Sequence, residues 1–122
     1  MAPSLFDLAG RVSMVSGAAS GMGQAMSLAV AEAGSDIVLV DIDEEGAKAT
    51  AHQVKQLGRN AIVVDCDVSD ATQISSLFER LDREFGRLDF LGNVAGQGIL
   101  ASPTELTLTQ LDRVLQQLVV GR

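Results

Sequence analysis

The chain has 122 residues, 47% of them apolar and only 3% aromatic, and carries a formal net charge of −7. One domain of this length can bury roughly two-thirds of the surface its unfolded chain exposes, with a core drawn from Ala, Val, Leu and Ile. The acidic balance argues against a nucleic-acid partner, and the lack of a basic amphipathic stretch argues against an anionic membrane surface.

The first residues lack a charged-then-apolar leader pattern, and no apolar run approaches the length of a membrane span. Residues 11–15 read as a short strand. A turn of small residues follows: Ser16, Gly17, Ala18, Ala19, Ser20, Gly21, Met22 and Gly23. A helix is expected to start near Gly21 and to run over 24–33. Residues 37–40 form a continuous apolar run, the pattern of a strand buried on both faces, and Asp41 ends it. A second helix is expected over 44–57, closed by Gly58, and a third strand over 61–64. The helix expected over 71–85 carries Ile74, Leu77, Phe78, Leu81 and Phe85 on one face, and Gly86 ends it. A fourth strand is read at 88–91, then a loop over 97–106 containing Pro103. The last helix begins near Thr107, which has capping-box spacing to Gln110. Its apolar stripe is Leu108, Leu111, Leu115 and Leu118. The alternation predicts an α/β fold: a Rossmann-like, doubly wound parallel sheet with helices on both faces, about four strands long. Its ligand belongs at the carboxyl ends of the strands.

The glycine turn lies where a ligand of that fold would sit. Gly17 can adopt backbone angles closed to other residues. Gly21 leaves room for a pyrophosphate, and Gly23 for close packing of the helix. The first N–H groups of that helix have no partner within it and favour an anion. Asp41, eighteen residues after Gly23, would accept hydrogen bonds from ribose hydroxyls. Its charge would oppose a 2′-phosphate, and the next residue, Ile42, is not basic, so NAD is expected over NADP. Plain tight turns share this glycine pattern. Methyltransferases share the turn and the acid, so these residues alone leave the cofactor class open.

Four segments in order narrow it. The spacing G-x-x-x-G-x-G after Ser16 resembles the TGxxxGxG turn of the short-chain dehydrogenase/reductase family. Cys66-Asp67-Val68 resembles the family's acidic motif after the third strand. Asn93-Val94-Ala95-Gly96 resembles its NNAG motif. The segment from Leu5 to Val12 resembles the start of many members, including those acting on sugar acids and polyols. The resemblance runs from about Leu5 to about Leu115. It implies an NAD-dependent oxidoreductase of alcohols and ketones. It also implies cofactor contacts at Ser16, Gly17, Ser20, Gly21, Met22, Gly23, Asp41, Ile42, Asp67, Val68, Asn93, Ala95 and Gly96. Of these, Asp67 meets the adenine ring and Asn93 steadies the sheet.

The family's chemistry uses a Ser and a Y-x-x-x-K pair, and this chain has no tyrosine at all. The two lysines, Lys48 and Lys55, lie on the second helix. Leu118 stands where many members carry a helical Asn. No catalytic residue is therefore expected. The resemblance fades after Leu115, and the chain ends within a helix at Gly121 and Arg122, as a frame shift, an alternative transcript or an incomplete gene product would. The expected unit is one incomplete dinucleotide-binding domain over 1–122, the cofactor half of an oxidoreductase and inactive alone. The alternatives are a non-catalytic NAD-binding or dimerising fragment that modulates a full-length relative, and a non-functional product.

The remaining residues read as structure. Asp43, Glu44 and Glu45 suit a helix N-terminus rather than a metal, and His52 a solvated helix position. Met14, Met22 and Met26 read as core filler. Of the two acids beside Cys66, the family pattern selects Asp67 over Asp65. Cys66 is a lone cysteine, so a buried thiol in a reduced, cytosolic setting is expected. The unpaired fourth strand and the last apolar stripe predict self-association, or association with a full-length relative.

Overall fold

A computed structural model describes residues 4–120. Gly121 and Arg122, where the chain ends, lie outside the described residues. The elements alternate: β1 (Val12–Ser16), α1 (Gly21–Glu32), β2 (Asp36–Asp41), α2 (Glu44–Gln56), β3 (Ala61–Asp65), α3 (Ala71–Glu84), β4 (Phe90–Asn93) and α4 (Leu108–Leu115). A π-helical turn, Gln116–Val120, continues α4. The strands form one parallel sheet in the order β3-β2-β1-β4. This is the Rossmann-like arrangement expected of the sequence.

Alternation along the two central strands builds two cores. Val15, Ile37 and Leu39 pack with Ala31 of α1 and with Ala51 and Val54 of α2. Val12, Met14, Val38 and Val40 face the other way, against Leu77 and Leu81 of α3. Small alanines on α1 and α2 let those helices lie close to the sheet, which suits a core almost without aromatic side chains. Local chemistry sets the helix ends. Asp43 Oδ1 accepts from Gly46 N at the start of α2, and Asp70 caps α3. Thr107 and Gln110 close a reciprocal capping box on α4, at 3.1 and 2.9 Å. Gly58, with φ +81°, follows α2.

Three expectations need correction. The fourth strand lies at Phe90–Asn93, two residues beyond the apolar run 88–91. Its start is set by Asp89, whose carboxylate accepts from Val12 N at 2.9 Å and whose own N–H donates to Val12 O at 2.8 Å. Gly92 looks like a strand breaker, yet it pairs with Val15 inside the ladder. A Cβ there would stand 3.3 Å from Val15 Cγ2 and against Met26 Sδ, so glycine suits close packing at this point. Phe78 is not on the buried face of α3; it is 41% exposed, and Leu77 and Leu81 carry that face. Met22 is not core filler either, since it is 76% exposed, whereas Met14 is buried.

Asp89 clamps the edge strand to β1. Besides Val12 N it receives Arg87 Nε and Nη2 at 2.8 and 2.7 Å, with Arg11 Nη1 at 3.4 Å. The Arg87 hydrogen bonds, then the Val12 amide, hold its carboxyl at about 2. The unfolded value is about 3.9, so the clamp is fully formed above that pH and is lost as pH falls through 2. Asp89→Asn should therefore melt below wild type at pH 6, with the gap closing between about pH 4 and pH 2. A gap that stays constant across that window, in thermal melts of both proteins, would contradict the clamp.

Candidate functional site

The carboxyl ends of β1, β2 and β4 open onto a cleft of about 330 Å³, at the low end of the size of ligand pockets. Its first wall is the glycine turn. Gly17 has φ +77°, and its N–H and that of Ala18 both donate to Val40 O, at 2.8 and 3.2 Å. A Cβ on Gly17 would stand 2.8 Å from Ala95 N, because the segment after β4 crosses directly over the turn. Gly21, with φ +55°, opens α1, and apart from its chain neighbours and the helix's own backbone nothing lies within 4 Å of where its Cβ would be. That open space faces the approach to the helix N-terminus. α1 has no acid in its first turn, and Ser20 sits at the N-cap position without a side-chain cap bond. The amides and a free hydroxyl are thus left for an anion.

Gly23 lies where the helix packs closely on the turn: a Cβ there would collide with the Gly17 carbonyl, just beyond the end of β1.

The second wall is the end of β2. Asp41 divides its carboxylate: Oδ2 accepts from Ala19 N and Oδ1 from Asp43 N, each at 2.9 Å. Each oxygen keeps a further lone pair for a hydroxyl donor. Ile42 beside it is 61% exposed. The third wall is Cys66, Asp67 and Val68. Asp67 Oδ1 accepts from Ser69 N and Ser69 Oγ, at 2.9 and 2.6 Å, and Oδ2 has no partner among the described residues. Burial pushes the Cys66 thiol up, helped by the charges of Asp67, Asp65 and Asp70. It therefore stays protonated and serves as a small apolar wall.

Nine of the residues singled out from sequence line this cleft: Gly17, Ser20, Met22, Asp41, Ile42, Asp67, Val68, Ala95 and Gly96. Four lie outside the lining. Gly21 opens α1, Gly23 is buried under the turn, and Asn93 pairs with Ser16 in the ladder. Ser16 is a brace beneath the site, 7% exposed; its hydroxyl accepts from Val94 N and Ala95 N, at 3.2 and 3.3 Å, and reaches Gly92 O. Sequence reasoning missed Val40, Val94, Gln97 and Gln117 as lining residues and took Cys66 only as a buried strand end. Gln117 had no readable signal, because a regular helix was expected where the π turn forms. His52 is exposed and shares a hydrogen bond with Gln56, at 3.2 Å.

Comparison with known proteins agrees with this geometry. The family model described as short chain dehydrogenase matches residues 11–121. The chain is 41% identical over 110 residues to D-threitol dehydrogenase of Mycolicibacterium smegmatis, covering 90% of this chain and 42% of that enzyme. Among solved structures it superposes on NAD+-bound xylitol dehydrogenase with a TM-score of 0.89 and 33% identity, covering 93% of this chain and 44% of the other. A metagenomic short-chain oxidoreductase in complex with NADP gives a TM-score of 0.91 at 27% identity, covering 94% of this chain and 52% of that one. The chain thus spans about half the length, or less, of the proteins it matches, and that half carries the glycine turn, Asp41 and the cleft. This chain belongs to the short-chain dehydrogenase family.

Proposed function

We propose that residues 1–122 form one dinucleotide-binding domain that holds NAD by its adenosine and pyrophosphate, as the cofactor half of an oxidoreductase of alcohols or ketones. The carrying observation is one cleft that gathers a bare glycine turn, an uncapped helix N-terminus and the Asp41 carboxylate. Gly17, Gly21 and the first amides of α1 would receive the pyrophosphate. Ser20 and Met22 would flank it, Asp41 would accept from the ribose hydroxyls, and Ile42, Asp67 and Val68 would enclose the adenine. Ala95 and Gly96 would close the floor, and Ser16, Gly23 and Asn93 would shape the turn from below. Bound there, the cofactor would supply hydride exchange with a hydroxyl-bearing carbon. The relatives acting on threitol and xylitol make polyols the favoured substrate class.

Among relatives, one structure holds NAD+ and another NADP, so the preference rests on Asp41 and on the absence of a basic residue beside it. Asp41→Ala should weaken NAD roughly tenfold, as loss of hydrogen bonds to a charged group does, and bring NADP to within a few fold of NAD. Titration of both nucleotides checks this; an unchanged NAD-to-NADP ratio would make Asp41 only a strut for Ala19.

A second reading is a non-catalytic NAD-binding or dimerising module that acts on a full-length relative. It is favoured by one fact: these 122 residues contain no tyrosine to serve as proton donor. A cytosolic setting is supported by the buried free thiol of Cys66. No helix among the described residues is long and apolar enough to cross a membrane.

A further inference from the structure

The buried face of α2 reads Ala47, Thr50, Ala51 and Val54. Three of these are apolar and pack as a helix on a sheet should. Thr50 is a hydroxyl with no exposed surface. Its Oγ1 lies 2.8 Å from Ala18 O and 3.3 Å from Gly46 O. A hydroxyl has one proton to donate, and the shorter contact takes it, so Thr50 bonds the glycine turn rather than its own helix. Gln24 of α1 donates to the same oxygen at 3.3 Å.

The turn is thereby held from one side, residue by residue. Val40 O accepts from Gly17 N and Ala18 N, Asp41 Oδ2 accepts from Ala19 N, and Thr50 donates to Ala18 O. The α2 backbone also touches the turn, since a Cβ on Gly46 would stand 2.8 Å from Ala19 Cβ. Of these ties, Val40 and Asp41 belong to the cleft itself. Thr50 does not: it is sealed behind the turn. An anion site of backbone amides works when the amides already point at the ligand before it arrives.

We propose that Thr50 is a positioning residue of the dinucleotide site: from the second helix it fixes the carbonyl of Ala18 and so sets the direction of the pyrophosphate-binding turn. This rests on the dinucleotide reading above. It goes beyond that reading in assigning a role to a residue that no ligand touches.

The test compares wild type, Thr50→Val and Thr50→Ser. Valine keeps the volume and removes the donor; serine restores the donor. ADP-ribose reports the pyrophosphate, adenosine reports the other end of the cleft, and amide hydrogen exchange at Ala18 and Ala19 reports the turn directly. Thr50→Val should weaken ADP-ribose about tenfold, the scale of one buried carbonyl left unbonded. Adenosine should hold within about twofold, and the two amides should exchange faster than those of β2. Thr50→Ser should restore both readouts. If Thr50→Val does not fold, Thr50→Ala removes the same donor to Ala18 O with a smaller side chain and should speed exchange at the same two amides; unchanged exchange there overturns the proposal. Equal weakening of ADP-ribose and adenosine, or no rescue by serine, overturns it as well, because Thr50 would then serve packing alone. A wild-type protein that binds neither ligand sinks the dinucleotide reading, and the exchange of Ala18 and Ala19 in Thr50→Val then decides the positioning role by itself.

Discussion

Gly23→Ala should destabilise the chain by about 3 kcal/mol, at the upper end of ordinary overpacking costs, and abolish ADP-ribose binding. The added methyl runs into the Gly17 carbonyl and stands 3.1 Å from Ala18 N. Both are backbone atoms of a turn pinned by Val40, Asp41 and Thr50, so the turn cannot yield without breaking those bonds. Gly21→Ala is the informative control. Apart from its chain neighbours and its own helix backbone nothing lies within 4 Å of its Cβ position, but its φ is +55°, so the cost is backbone strain of about 1 kcal/mol. That variant should fold and still bind poorly, because its methyl projects into open space beside the helix N-terminus. Denaturant melts with parallel ADP-ribose titrations separate the two effects. A Gly23→Ala protein as stable as wild type would show that the turn is not closed as described.

Leu111→Glu with Leu115→Glu should turn an associating protein into a monomer. β4 ends the sheet, and its outer edge has no partner strand among the described residues. Phe90 and Leu91 are 38% and 42% exposed, and no side chain of α4 is buried. Leu108, Leu111 and Leu115 are exposed together with Val119 and Val120 of the π turn. An unpaired apolar edge strand and an exposed apolar helix face are each templates for association. The charge of −7 opposes it weakly, because screening at physiological salt acts beyond about 8 Å. Burying two leucines is worth about 3–6 kcal/mol, so removing them should lower the association constant about 100-fold or more. Light scattering at tens of micromolar decides it. Wild type should run as a dimer or larger, and a monodisperse wild-type monomer would refute the surface's role.

What was legible in the sequence was the chemistry that acts over short distances. Positive φ at Gly17, the acid at the end of β2, the Asp43 cap and the Thr107–Gln110 box each depend on neighbours a few residues away. Apolar runs gave the central strands because those are buried on both sides. What depends on contacts across the fold was not legible. Gly92 and Asp89 displace β4, because one packs on Met26 and the other bonds to Val12, 77 residues away. The brace that Ser16 forms with Val94 N and Ala95 N was not legible, since those partners lie 78 and 79 positions later, in the segment that follows β4. Phe78 fits the helical stripe by period but is exposed, because the buried face of α3 is carried by Leu77 and Leu81. Thr50 passed as one more helix residue, because its carbonyl partner is 32 positions earlier.

Calorimetric titration of the 122-residue chain with NAD and with ADP-ribose tests the adenosine-sided cleft most directly. On the proposed reading Gly17, Asp41 and Asp67, which line the cleft, would address the adenosine and pyrophosphate, which both ligands carry. Both should bind at about 1 mM, near −4 kcal/mol, and with nearly equal affinity. NAD binding much tighter than ADP-ribose, or no binding of either, would contradict the account.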